Sequence, residues 1–204
     1  MEPEQSSMIG EIREAALSEK VPIIRKETAA FLRVMLLMNS PKNILEIGAG
    51  VAYSAIFMSE YIPEGSHITT IENYPPRIER AKENIGFAGK SENITLLEGD
   101  ALEILPRLSP GYDFIFLDAS KGQYINMLPE LRRVLTPVGV MISDNVLQEG
   151  DIVESSFAVT RRNRTIHKRM REFLREIMRG GDFDSCILPL GDGIALSVPK
   201  VPVP

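Results

Sequence analysis

The spacing of hydrophobic positions changes along this chain, and the changes mark out its elements. At the start, apolar side chains recur at helical intervals. They predict one helix over about 7–19 and a second from Pro22, a favoured first-turn residue, through Phe31, Leu32, Met35 and Leu36 to near Asn39. Short apolar runs then alternate with amphipathic stretches. The runs are Asn43–Ile47, His67–Ile71, Asn93–Leu97, Tyr112–Leu117 and Val138–Ile142, with helical patterns over about 52–61, 75–87, 101–108 and 122–134. Strand and helix repeated in this way imply right-handed crossovers and a parallel sheet covered on both faces.

The end of the chain departs from that rhythm. After a helix predicted over about 160–179, the runs Asp184–Leu190 and Ile194–Val198 flank Gly191, Asp192 and Gly193, which reads as an antiparallel hairpin. The expected fold is therefore α/β and Rossmann-like: seven strands, mostly parallel, ending in an antiparallel hairpin, with helices on both faces. By fold analogy this resembles the class I methyltransferase topology. One domain is expected over 1–204, with residues 1–40 forming helices over the site. The prolines of the tail, 199–204, cannot continue a sheet interior, so that segment is expected to fray.

Composition narrows the class. The chain has 204 residues, of which 44% are hydrophobic and 25% charged, as in a globular domain with a sizeable core. No apolar stretch approaches the roughly 20 residues of a membrane span. The opening segment, MEPEQSSMIGEIREA, is acidic and polar where a secretory signal would be basic and then apolar. Cys186 is the only cysteine, which excludes an intramolecular disulfide and disfavours a thiolate zinc site. The expectation is a reduced, cytoplasmic protein without a membrane partner.

A glycine-rich loop follows the first strand, Glu46-Ile-Gly48-Ala-Gly50-Val-Ala52-Tyr53-Ser54, and opens a helix. Such a loop lets backbone approach a ligand, and the helix start offers free N–H groups. The dinucleotide fingerprint fails at its last position, where Tyr53 would crowd a pyrophosphate. Glu72 ends the second strand, placed to accept ribose hydroxyls. Asp100, ending the third, could accept an adenine amino group. Three polar features at successive strand ends describe a nucleoside pocket without a diphosphate, which suits S-adenosylmethionine better than NAD. Other readings stay open: turn glycines, a solvated Glu72, and Asp100 as the cap of the next helix.

The fourth strand ends at Asp118, with Lys121 three residues on, and the fifth ends at Asp144-Asn145. If these strands are neighbours their ends lie about 5 Å apart, so two carboxylates and an amide oxygen converge. Like charges that close call for a hard divalent cation, with Mg²⁺ the default. Such an ion would bind and acidify a substrate hydroxyl. Lys121 near it would have a lowered pKa, as a general base requires. The plainer alternatives are a surface lysine and an Asx turn. His67 and His167 fall in unrelated elements and read as surface residues.

Together, LEIGAGVAYSA, TIE, EGDAL, FIFLDASKGQY, ISDNVL and LPLGDGIALS resemble, in order and spacing, the cation-dependent O-methyltransferases that include catechol and caffeoyl-CoA enzymes. The resemblance is greatest to a bacterial branch that methylates 5-hydroxyuridine at the tRNA wobble position, giving 5-methoxyuridine. It implies metal ligation by Asp118, Asp144 and Asn145, with Asp118 also beside the methionine amino group and Lys121 as base. For the cofactor it implies Glu72 on the ribose, Asp100 and Ala101 on adenine, Ser54 toward methionine, and Ile24, Glu46 and Gly48 lining the site. Ala52 stands where the loop commonly has glycine. A homodimer is compatible with the family.

Charge bears on the acceptor. Residues 161–179 carry eight basic against two acidic side chains, a net of +6, while the whole chain is at −5, which leaves −11 elsewhere. Ile166, Met170, Phe173 and Ile177 follow the spacing of a buried helix face, and Arg164, Lys168, Arg171, Arg175 and Arg179 follow another. The second face reads either as a solvated surface or as a phosphate contact for tRNA, through Arg164, Lys168, Arg171 and Arg175. A coenzyme A thioester is also anionic, and a small catechol remains an alternative acceptor. A nicotinamide oxidoreductase and a non-catalytic RNA-binding module are the competing classes.

Overall fold

The computed structural model describes residues 7–147 and 164–200. The chain groups into two compact units that divide after Ile104.

The first unit begins with α1 (Ser7–Ser18) and α2 (Lys26–Asn39). The second helix starts later than Pro22 predicts. Val21, Ile23 and Ile24 lose side-chain freedom in a helix, and Arg25 is extended at φ −68°, ψ 158°. Ile24 is buried in the non-helical stretch before it. Thr28, Ala29, Leu32 and Leu36 form the buried face of α2, which closes at Ser40 in the left-handed region. Next come β1 (Asn43–Ile47), α3 (Tyr53–Ser59), β2 (His67–Glu72), α4 (Pro75–Phe87), β3 (Ile94–Glu98) and α5 (Ala101–Ile104). The three strands run parallel in the order β3-β2-β1. Ile47 pairs with Ile71 and Glu72 with Glu98, so their C-terminal ends finish in step. Leu32, Ile44, Leu45, Phe57 and Ile68 are fully enclosed and form the core of this unit.

The second unit contains β4 (Tyr112–Leu117), α6 (Tyr124–Val134), β5 (Leu135–Ser143), α7 (Arg164–Arg179), β6 (Phe183–Leu188) and β7 (Ile194–Pro199). The predicted helix over 101–108 stops at Ile104 and tightens into a 3-10 turn, Leu105–Arg107, around Pro106. Another 3-10 turn, Lys121–Gln123, precedes α6. The strands β4 and β5 are parallel, and their register slips between Tyr112 and Phe114, opposite the stretch of β5 that holds Pro137. The strand β7 lies antiparallel to both β5 and β6. Seven strands, mostly parallel and closed by an antiparallel hairpin, match the expected Rossmann-like α/β class.

The helix α7 corrects one expectation. Its buried side chains are His167, Met170, Phe173 and Ile177. Ile166 lies in the first turn against Gly122 and is 38% exposed. His167, read from sequence as a surface residue, is inside at 1% exposure. Arg164, Lys168, Arg171, Arg175 and Arg179 are all exposed. Arg161, Arg162 and tail residues 201–204 lie outside the described residues. Among the described residues no helix is long and apolar enough to cross a membrane.

The β6–β7 turn supports the chain that follows β5. Val146 N–H donates to Gly193 O and Leu147 N–H to Asp192 O, each at 2.9 Å. Gly193 has φ +87°, and a Cβ there would lie 2.3 Å from Leu147 Cγ. Gly193→Ala is therefore expected to cost about 3 kcal/mol, from left-handed strain together with overpacking, measured by urea unfolding against wild type.

Candidate functional site

In the first unit one carboxylate organises the loop. Glu72, buried at the end of β2, accepts Gly50 N–H on Oε2 at 2.8 Å, and Asn73 and Tyr74 N–H on Oε1 at 3.0 Å each. The loop leaves β1 with Gly48 and Ala49 N–H both donating to Ile71 O at 3.0 Å. Gly48, Gly50 and Ala52 all have positive φ, at 100°, 54° and 62°. Ala52 bears the left-handed conformation without a glycine's freedom, at a cost of about 1–2 kcal/mol. It caps α3, whose first turn carries Ser54, nearly buried. A carboxylate oxygen has two acceptor sites, so Glu72 Oε2 retains one beyond the Gly50 bond.

The other donor-side residues differ in access. Glu46 is fully enclosed and accepts the Thr70 hydroxyl on the paired strand, so its carboxylate is directed at the sheet. Asp100 is exposed and its Oδ1 accepts Leu102 N–H at 2.8 Å, which makes it the cap of α5. Ala101 opens that helix. Ile24 is buried before α2, 6% exposed.

In the second unit the pairing of β4 with β5 brings the acids together. Leu117 is in register with Ser143, and Asp144 N–H donates to Leu117 O at 2.9 Å. The next residues are therefore Asp118 on one strand end and Asp144-Asn145 on the other. Asn145 Nδ2 donates to Asp118 Oδ1 at 3.1 Å, and Asn145 N–H donates to Asp144 Oδ1 at 2.8 Å. Asn145 sits at φ +59°, a conformation that asparagine tolerates better than most side chains. Lys121 begins the turn after Asp118 and is half-buried.

Electrostatics make this cluster a poor place for two bare carboxylates. Burial, then the Asp118 charge, raise the Asp144 carboxyl to about 7; the Asp192 charge adds to the rise, while the Asn145 N–H and the Lys121 charge oppose it. The two acids repel each other and a divalent cation would relieve that repulsion; Asn145 donates through Nδ2 to Asp118 here, and turning its amide would add Oδ1 as a third hard-oxygen donor, so the residues fit such an ion. Among the described residues no three His, Cys, Asp or Glu side chains gather to hold a metal, and the third donor here is the Asn145 amide.

Two participants escaped the sequence reading. Asp192 enters through the β6–β7 turn, and the register of that hairpin is not visible in local spacing. Tyr124 was present in the FIFLDASKGQY stretch without a role. It is fully buried, with its hydroxyl 3.2 Å from both Leu117 O and Asp144 O. Burial and the two nearby acids push that phenol well above its ordinary range, so it stays a neutral donor.

Several known proteins resemble this chain. The family model described as O-methyltransferase matches residues 2–200. Caffeoyl-CoA O-methyltransferase 2 of Populus trichocarpa is 31% identical over 208 residues, covering 95% of this chain and 82% of that protein. Catechol O-methyltransferase of Niastella koreensis is 31% identical over 130 residues, covering 62% of this chain and 59% of that one. The crystal structure of a Staphylococcus aureus protein superposes with a TM-score of 0.89 at 29% identity, over 97% of this chain and 93% of its own.

Asp144 gives the cluster a pH signature. A carboxyl raised to about 7 favours its protonated form in the fold, so its stabilising contribution is complete below the unfolded value near 4 and is lost as pH rises through 7. The loss is of order 4 kcal/mol at 1.36 kcal/mol per pH unit. Thermal unfolding in EDTA is expected to show a lower Tm at pH 8 than Asp144→Asn shows, with the gap closing at pH 5. Mg²⁺ is expected to raise the wild-type Tm more at pH 8 than at pH 5. Equal Mg²⁺ shifts at both pH values would contradict this account.

Proposed function

The chain belongs to the O-methyltransferase family, and on that premise we propose that it transfers a methyl group from S-adenosylmethionine to a hydroxyl of a small aromatic acceptor of the catechol or caffeoyl-CoA kind. The observation that carries the reading is the convergence of Asp118, Asp144 and Asn145 at the ends of two paired strands. Family membership sets aside a nicotinamide oxidoreductase and a binding-only module. The names of two relatives favour small hydroxyl acceptors over the tRNA expected from sequence.

The residues divide the work by unit. In the first, the Gly48–Gly50 loop, held open by Glu72, presents backbone to the cofactor, and Glu72 Oε2 keeps an acceptor site for a ribose hydroxyl. Asp100 and Ala101 border the adenine side, and Ser54 the methionine side. In the second, Asp118, Asp144 and the Asn145 amide oxygen would hold a divalent cation, with Mg²⁺ suited to their hard oxygens. Such an ion, when bound, would lower the pKa of a substrate hydroxyl. Lys121, in its neutral amine form, would take the hydroxyl proton on Nζ as the oxygen–methyl bond forms and the sulfur–methyl bond breaks, leaving S-adenosylhomocysteine. Two adjacent ring hydroxyls would suit a chelating cluster better than one.

A second reading keeps the chemistry and places it on 5-hydroxyuridine of tRNA. The exposed cations of α7 favour it: Arg164, Lys168, Arg171 and Arg175 form a stripe able to follow phosphates. Labelled methyl transfer to catechol, caffeoyl-CoA and hydroxyuridine-containing tRNA separates the two. The expected result is turnover of a catechol-type acceptor with tRNA at background. EDTA and Asp144→Ala are each expected to lower kcat/KM at least 100-fold, and Lys121→Ala to lower kcat more than it raises KM. Turnover of tRNA alone, reduced by changing Arg164, Arg171 and Arg175 together to Gln, would install the second reading. Full activity in chelator would overturn the cation role.

A further inference from the structure

The turn between Asp118 and α6 is held by one hydroxyl, and its partners show what it controls. Tyr124 Oη accepts the Ala119 N–H at 3.3 Å and lies 3.2 Å from Leu117 O and from Asp144 O. Leu117 and Ala119 are the two neighbours of Asp118 in the chain. Asp144 O belongs to the other acid's own backbone. A single side-chain atom thus touches the main chain on both sides of one carboxylate and at the second. The hydroxyl has one proton to give to two carbonyls, so it bridges β4 and β5 just where their ladder ends.

The ring is held in turn by α7. Phe173 meets it edge-on, with ring centroids 5.4 Å apart at 78°. Arg169 Nη1 donates to Gly122 O at 3.2 Å, two residues before Tyr124. Ile166 lies over Gly122, where an added Cβ would be 3.8 Å from Ile166 Cγ1. One helix therefore holds the Lys121–Gln123 turn at Gly122 through Arg169 and Ile166, and meets the Tyr124 ring that follows it through Phe173.

We propose that Tyr124 is a positioning residue of the cation site, its hydroxyl fixing the separation and aim of Asp118 against Asp144 and Asn145, with Phe173 fixing the ring. This deepens the proposed function and rests on its cation reading. The separation of the ligands matters because two carboxylates drift apart by mutual repulsion unless their backbones are tied. Groups that orient ligands in this way typically set metal affinity by 10–100-fold.

The test titrates Mn²⁺ alone into the full-length protein, by calorimetry and by the Mn²⁺ paramagnetic resonance spectrum. Tyr124→Phe keeps the ring and its Phe173 contact and removes only the bridging oxygen. Its Mn²⁺ Kd is expected to rise about tenfold, with a broadened spectrum from a less uniform site, while S-adenosylhomocysteine affinity stays within twofold. Phe173→Leu retains the hydroxyl but frees the ring, and a rise of about threefold is expected; it serves if Tyr124→Phe fails to fold. Phe57→Leu, a core change in the first unit, supplies a destabilised control whose Mn²⁺ Kd should not move. Wild-type Mn²⁺ affinity in a folded Tyr124→Phe, or equal weakening in Phe57→Leu, would overturn the positioning role and leave the cation reading standing. Wild-type protein that binds Mn²⁺ no better than Asp118→Asn/Asp144→Asn would overturn both.

Discussion

The parallel register of β4 and β5 is the constraint on which the second unit depends. Leu117 opposite Ser143 makes the following residues, Asp118 and Asp144, leave the sheet at one level. A slip of a single residue would turn one acid to the other face and send its side chain away from its partner. The slip that does occur lies at the far end, opposite Pro137, where β5 can lose ladder bonds without disturbing the site. Irregularity is tolerated at the start of these strands and excluded at their finish. The Asp144 N–H bond to Leu117 O carries the ladder one step past the last strand residue and locks that finish.

The first unit solves a related problem with the opposite economy. Its strands β1 and β2 also end in step, and a carboxylate stands at the finish, but Glu72 is surrounded by backbone donors rather than by a second acid. Three N–H groups satisfy its charge and in return fix the glycine loop. Asp144 has one such donor against two nearby acids, Asp118 and Asp192. One carboxylate is satisfied by the loop that it fixes, whereas the other keeps a repulsion from its neighbouring acids that the Asn145 N–H and the Lys121 charge offset only in part.

Much of this was legible in the chain. Short apolar runs located the seven strands of the described sheet, and the chemistry-bearing residues sit at the ends of the parallel ones. Boundaries were less legible where local preference and tertiary packing compete. Pro22 is a good helix starter, yet the stretch with the β-branched Val21, Ile23 and Ile24 stays outside the helix, and Ile24 is buried there. The buried face of α7 was read one residue off at its start, because a helix face is set by what it packs on as well as by its period. His167 goes inside there, and the spacing of apolar residues gives no sign of it. Asp192 and the Tyr124 hydroxyl were hidden for a different reason. Their roles come from atoms far apart in sequence, and a phenol bridging two main-chain carbonyls leaves no pattern in residue types.

The cationic helix bears on the acceptor in a narrower way than its charge suggests. An amphipathic helix needs a polar outer face, and mixed signs would serve solvation while adding favourable pairs three and four residues apart. Here Arg164, Lys168, Arg171, Arg175 and Arg179 are exposed together with a single exposed acid, Glu176. The surface Lys168–Glu172 pair, at 3.9 Å, adds little to stability. A basic excess on one helix face makes a positive field that attracts anions in general, so the stripe carries no information on which anion, if any, it meets.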